Sequence, residues 1–178
     1  MAYRQEPAVD VLEGALFGAG AFVVGVLLTF MGELVGTVSA AGNVADPPAE
    51  GSAALTDQGG LSGVLLSHVR VHDLGLITGS SLELGLLPHA IIVVAILVVT
   101  GYVVAASAGN RWASGGFKHG ASIATGYFAL TLLSMAVIVV QVEGLGVVDI
   151  ETVLALLVVG LVYPLVFGGV GGAIANAN

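Results

Sequence analysis

The chain has 178 residues, 57% of them hydrophobic and only 9% charged, with a mean hydropathy of +1.04. That places it outside the range of ordinary soluble domains, which need more charge to cover their surface. It has no cysteine, so disulfides, thiolate metal sites and cysteine nucleophiles are excluded, and its net charge of −8 with four basic side chains argues against a nucleic-acid partner.

The expected fold is an all-α membrane protein with four transmembrane helices, and an outer linker carrying an amphipathic segment between the first and second. Residues 1–13 read as a short lead-in of mixed charge. Residues 14–36 are the first span, with no charge from Gly14 to Gly32. About 20 apolar residues at a 1.5 Å rise cover the roughly 30 Å hydrocarbon layer. A cleaved signal peptide is the rival reading, since Val38-Ser39-Ala40 has the small-residue pattern of a cleavage site. Against it stand the acids Glu6, Asp10 and Glu13 and an apolar run longer than a signal peptide's.

Residues 37–88 form the external linker, small and polar at first and stiffened locally by Pro47-Pro48. Within it, Leu61, Val64, Leu65, His68 and His72 keep helical spacing, whereas Val69 to His72 alternate like a strand. Arg70, Asp73 and Glu83 speak against a full span, so an amphipathic helix lying at the membrane interface is expected. The second span is 89–108, where unbroken length outweighs the β-branched composition. A connector, 109–120, holds Arg111, Trp112 and Lys118. The third span is 121–142, followed by an acidic turn at 143–151, a fourth span at 152–174 and a tail at 175–178. Pro164 interrupts the fourth span. It cannot donate to the Gly160 carbonyl, so a kink or a substitute hydrogen bond is expected there.

Arg111 and Lys118 are half of the chain's Lys and Arg, and they lie in the shortest basic loop. Such loops stay on the cytoplasmic side. With four spans, both termini are then cytoplasmic as well. Nine of the twelve acids fall at or beyond the outer ends of the spans.

Few residues carry readable chemistry. His68 and His72, four apart with Asp73 adjacent, have metal-ligand spacing, but a third ligand would come from His89 or Glu83 only if the chain folds back, and two interfacial histidines satisfied by water, headgroups or backbone are the plainer reading. Glu33 is the one acid close to the core of a span, a candidate intramembrane polar site, although it is near enough to the end to snorkel outward. Gly60-Leu61-Ser62-Gly63 shares letters with the serine motif of rhomboid proteases, but it lies in a polar linker and the later spans offer no interior histidine. No enzymatic function and no cofactor are therefore expected. The small-residue pairs Gly14/Gly18, Gly32/Gly36, Gly101/Ala105 and Gly168/Gly172, each four apart, put backbone-like faces on the helices and read as packing surfaces.

Gly18–Thr29 (GAGAFVVGVLLT), Gly101–Ala105 (GYVVA), Gly120-Ala121-Ser122 with Gly126-Tyr127, and Gly160–Gly169 (GLVYPLVFGG) together resemble a family of small, uncharacterised multi-span membrane proteins of halophilic archaea. The resemblance implies four spans in high-salt membranes, and no activity. Low lysine and abundant acid fit that habitat, as they would fit a GC-rich genome of any origin. The expected role is that of a structural or accessory membrane protein, a subunit or scaffold with lipids and other membrane proteins as partners in a homo- or hetero-oligomer. A small oligomeric transporter or channel is the alternative. Its polar path would draw on Glu33, Thr29, Thr100, Ser122, Thr125, Thr131, Ser134 or the kink at Pro164.

Overall fold

The first helix begins at a cap. In the computed structural model, which describes residues 8–42, 64–65, 68–69, 87–109, 112–141, 154 and 156–177, the Asp10 carboxylate accepts the Glu13 backbone N–H at 3.0 Å, and the Gly14 N–H reaches the Asp10 carbonyl at 3.1 Å. An aspartate in that place satisfies donors that the first turn leaves open. Helix α1 then runs Val11–Gly42, six residues into the predicted linker.

Helix α2 is Leu87–Ser107, and Gly109, at a φ of +65°, supplies the left-handed residue that closes its C-terminus. Helix α3, Ala113–Ala121, occupies most of what the sequence marks as a connector. Helix α4 follows at Ile123–Gln141, joined to α3 through Ser122, whose hydroxyl donates to the His119 carbonyl at 2.6 Å. Val158–Val162 is a π-turn and α5 is Tyr163–Ala175. The π-turn is the substitute expected at Pro164: the Tyr163 N–H donates to the Val158 carbonyl, one residue further back than in an α-helix, immediately before the residue that has no N–H.

Among the described residues all regular structure is helical. Four stretches, Val11–Gly32, Pro88–Ser107, Ala113–Val137 and Val158–Ala175, are long and apolar enough to cross a membrane. The third begins earlier than the predicted 121, because α3 is held by packing rather than by its own composition. Gly115, Gly116, His119 and Gly120 are buried, with Gly116 and Gly120 against Gly172 and Gly168 of α5.

Glycine decides how the helices pair. On α1, a Cβ at Gly14 would run into Ser122, and one at Gly18 into the Ile123 carbonyl. Gly126 of α4 lies on the Ala15 carbonyl in return. On α5, Gly168 is crossed by Gly101 of α2, and Gly171 lies on the Val98 carbonyl. These are backbone-to-backbone contacts, the kind that substitutes for a hydrophobic driving force between helices surrounded by lipid. Between the pairs sits a core of Ala21, Phe22, Leu65, Val93, Leu97, Val104, Ile123 and Tyr127.

The outer surface is apolar. Leu16, Leu27, Ile91, Val99, Leu133 and Ile174 are all exposed, an arrangement that water does not tolerate over so many residues and lipid requires. An open groove of about 670 Å³ runs between α1 and α2, floored by Gly20, Ala21 and Ala95.

Candidate functional site: a buried histidine clasp

His68 is 1% exposed, and Leu65 and Val69 beside it are also buried. The pairs Val64–Leu65 and His68–Val69 are helical. Gly32, towards the far end of α1, lies against the ring of His89 at the start of α2, so the chain leaves α1 and enters α2 at the same end of the bundle. His68 packs over Gly25, which is seven residues and about 10 Å along the helix from Gly32. The described residues of this segment therefore reach into the bundle from one end, and the chain returns to the same end. For His68 this burial departs from the expected interfacial setting, while His72 lies outside the described residues. The physical reason is that both ring nitrogens find partners within the protein, so burial leaves neither unsatisfied.

Those partners come from two spans. The Thr29 hydroxyl lies 3.0 Å from the Gly25 carbonyl and 3.0 Å from His68 Nδ1, and the Tyr127 hydroxyl lies 3.2 Å from His68 Nε2. A carbonyl only accepts, and with the imidazole neutral this assigns the proton directions. Thr29 donates to Gly25, His68 Nδ1–H donates to Thr29, and Tyr127 O–H donates to Nε2. One neutral tautomer satisfies the whole chain of bonds. These bonds clasp His68 between α1 and α4.

Apolar walls complete the site. Phe22 stands edge-on to the His68 ring (5.3 Å, 82°) and to the Tyr127 ring (5.1 Å, 80°). Gly25 makes room for the imidazole, since a Cβ there would come within 2.8 Å of Cε1. Tyr127 is fully buried on α4, and Thr131 behind it returns its hydroxyl to the Tyr127 carbonyl at 2.9 Å.

Of the residues picked out for metal binding, His68 is engaged in this clasp, while His72 and Asp73 lie outside the described residues, as does Arg111. Among the described residues no group of three or more His, Cys, Asp or Glu side chains gathers as a metal site. Glu33 follows Gly32 on α1, and Gly36 is on the same helix. Lys118 is an exposed residue of α3, Pro164 is buried as the second residue of α5, and Ala105 is fully buried on α2.

A second histidine was also absent from the expected interior. His119 is 4% exposed, within the third span. Its Nδ1 lies 3.0 Å from the Gly115 carbonyl and its Nε2 3.3 Å from the Ala8 carbonyl, tying the residues before α1 to α3. Both acceptors are carbonyls, so the ring donates to both only while it carries both N–H protons. At the same end, the Ser107 hydroxyl donates to the Glu13 carboxylate at 2.8 Å. At the opposite end, His89 Nδ1 is buried without a hydrogen-bond partner among the described residues.

Among the described residues, fold and site together define a helical bundle with four apolar stretches of membrane length and His68 packed inside it. The chain belongs to a family of unknown function (DUF7978), whose model matches residues 72–178. Tyr127 lies inside the matched region, while α1 and His68 precede it. No curated protein and no solved structure matches the chain.

Proposed function

We propose that the chain is an integral, multi-pass membrane protein of structural or accessory type, a subunit or scaffold packing through Gly and Ala helix faces. The observation that carries this reading is how the interior polar groups are used. Thr29, Thr131 and Ser134 each return their hydroxyl to the carbonyl four residues back, and His68 and Tyr127 pair with one another. Groups bonded in this way have little left with which to replace the hydration shell of a passing solute. The open groove beside Gly20 and the apolar outer surface fit lipids and other membrane proteins as partners, and no catalytic role is assigned.

Gentle extraction followed by mass spectrometry of the intact assembly tests the proposal. The expected result is a reproducible complex with another membrane protein. A lone homo-oligomer that mediates solute flux in vesicles would favour a small transporter instead, the second reading. What supports that alternative is the polar set of His68, Thr29 and Tyr127 inside the bundle, since polar side chains at membrane depth commonly mark a pathway.

The same proposal puts Arg111 and Lys118 on the cytoplasmic side, with both termini. Because the chain has no native cysteine, single cysteines at Ser114 and Ser52 report orientation directly. A membrane-impermeant thiol reagent on intact cells is expected to label Ser52→Cys and spare Ser114→Cys. The reverse pattern would invert the topology. The acid-rich, lysine-poor composition further supports a high-salt habitat of the halophilic archaeal kind. Greater stability in molar potassium chloride than in dilute buffer is the expected result.

A further inference from the structure

We propose that the outer face formed by α1 and α2 is the contact between two copies of this chain, related by a twofold axis along the membrane normal, with the two α1 helices crossing at Gly20. Glycine use is the first observation. Among the glycines whose surroundings are described, only Gly20 and Gly109 have nothing within 4 Å of an added Cβ. Gly109 is accounted for by its φ of +65°. Gly20 lies near the middle of the Val11–Gly32 span, where glycine weakens a helix relative to alanine and gains no contact from its own chain. On the same helix, Gly14 and Gly18 each take a close neighbour at Ser122 and Ile123. The turn at Gly20 has the same bare build, and it opens onto the groove that faces away from the bundle.

Thr100, in the wall of the same groove, is the second observation. Thr29, Thr131 and Ser134 return their hydroxyls to the carbonyl four residues back, whereas among the described residues the Thr100 hydroxyl has no hydrogen-bond partner. An acyl chain offers it no acceptor, and an unbonded hydroxyl in hydrocarbon is costly. A helix does offer one, since glycine leaves the carbonyls of its own turn uncovered, and the opposing Gly20 brings such a turn to the groove. Extent is the third observation. The exposed stripe runs along both helices, through Leu16, Leu27 and Met31 on α1 and Ile92, Val99 and Val103 on α2. Two helices, each about 10 Å wide along a span of about 33 Å, present about 650 Å² per copy. Both copies together then bury about 1,300 Å², within the range of specific interfaces. The same patch carries the hollow, at Gly20, and the ridges that flank it one turn away, Leu16 and Val24. It can therefore pack on itself, as a twofold contact requires.

Cross-linking of the full-length protein in its membrane tests this, and the absence of native cysteine makes the readout direct. Leu16→Cys and Val170→Cys both replace exposed residues near one end of a span, but only Leu16 is on the α1–α2 face. Under copper–phenanthroline oxidation, Leu16→Cys is expected to give several-fold more disulfide-linked dimer than Val170→Cys. Adding Gly20→Leu should abolish that excess while leaving the thermal midpoint of the extracted chain close to that of Leu16→Cys alone, since its own chain leaves the place open. Equal cross-linking at the two positions would overturn the proposal, as would a folded Gly20→Leu variant that cross-links undiminished. Should Gly20→Leu fail to fold, the comparison of Leu16→Cys with Val170→Cys decides alone. A single chain that carries tightly bound lipid, lost on Gly20→Leu, would assign the groove to lipid and refute the second copy. The inference rests on the membrane reading above. Protein recovered outside the membrane fraction overturns both, whereas membrane-embedded protein without the cross-link overturns this one only.

Discussion

Gly101→Val is expected to destabilise the bundle by about 3 kcal/mol or more, at or beyond the upper end of over-packing penalties. The reason is the nature of the neighbour. A Cβ at Gly101 would lie 2.6 Å from both the carbonyl carbon and the Cα of Gly168, and closer still to the carbonyl oxygen. None of these is a side-chain end that can swing aside, so α2 and α5 must separate. Separation would spread, because Gly168 and Gly172 also carry α3 through Gly120 and Gly116. Even Gly101→Ala should lower the thermal midpoint clearly. Gly20→Ala is the matched control, since nothing lies within 4 Å of where its Cβ would stand. It should change stability by less than about 0.5 kcal/mol, as a surface substitution does. The measurement is the fraction of protein remaining monodisperse after heating in detergent, together with reversible unfolding in mixed micelles. Equal behaviour of Gly101→Val and Gly20→Ala would refute the assigned α2–α5 contact.

The clasp should give the second large effect. His68→Ala removes a fully buried ring from between α1 and α4 and leaves the Tyr127 hydroxyl facing a void, with an expected loss of roughly 2–5 kcal/mol. Tyr127→Phe keeps the ring contact with Phe22 and removes the hydroxyl that donates to Nε2. It should cost about 1–3 kcal/mol, the range for stranding a buried polar atom. Thr29→Val, close to isosteric, strands Nδ1–H in the same way. Because the bonds form one chain, the His68 and Tyr127 effects should fall short of additivity by about 1 kcal/mol or more in a double-mutant cycle. Strict additivity would mean that the 3.2 Å contact contributes nothing.

Much of the architecture was legible because lipid imposes a length rule. Uncharged runs such as Gly14–Gly32 and His89–Ala108 admit one reading once water is excluded as their solvent. Pro164 was equally readable, since a missing N–H must be accommodated locally, and the π-turn accommodates it. Helix α3 was hidden. Ala113-Ser114-Gly115-Gly116 has poor helix propensity, and its glycines looked like a loop because their use lies in Gly172 and Gly168, more than 45 residues away in sequence. The site was hidden for the same reason. His68 was read against its sequence neighbours His72 and Asp73, whereas its partners Thr29 and Tyr127 lie 39 and 59 residues away. No local periodicity encodes a pairing over that distance. The composition did mark the participants indirectly, since a Tyr flanked by Gly126 and a Thr four residues after Gly25 are polar groups in otherwise apolar runs.

The π-turn at Val158–Val162 has one more implication, for chain length. A π-turn takes up one residue more than an α-helical turn, so everything after it is rotated by about 100° relative to an uninterrupted helix. Gly168, Gly171 and Gly172, which meet Gly101, Val98 and Gly116, all follow the π-turn, so the direction of their face includes that rotation. The fourth span should therefore fail on losing any single residue between 158 and 162, while substitutions are expected to be tolerated at the exposed Val162 and not at Gly160, which lies against Thr131. The shortened helix would be more regular, and its glycine face would point the wrong way.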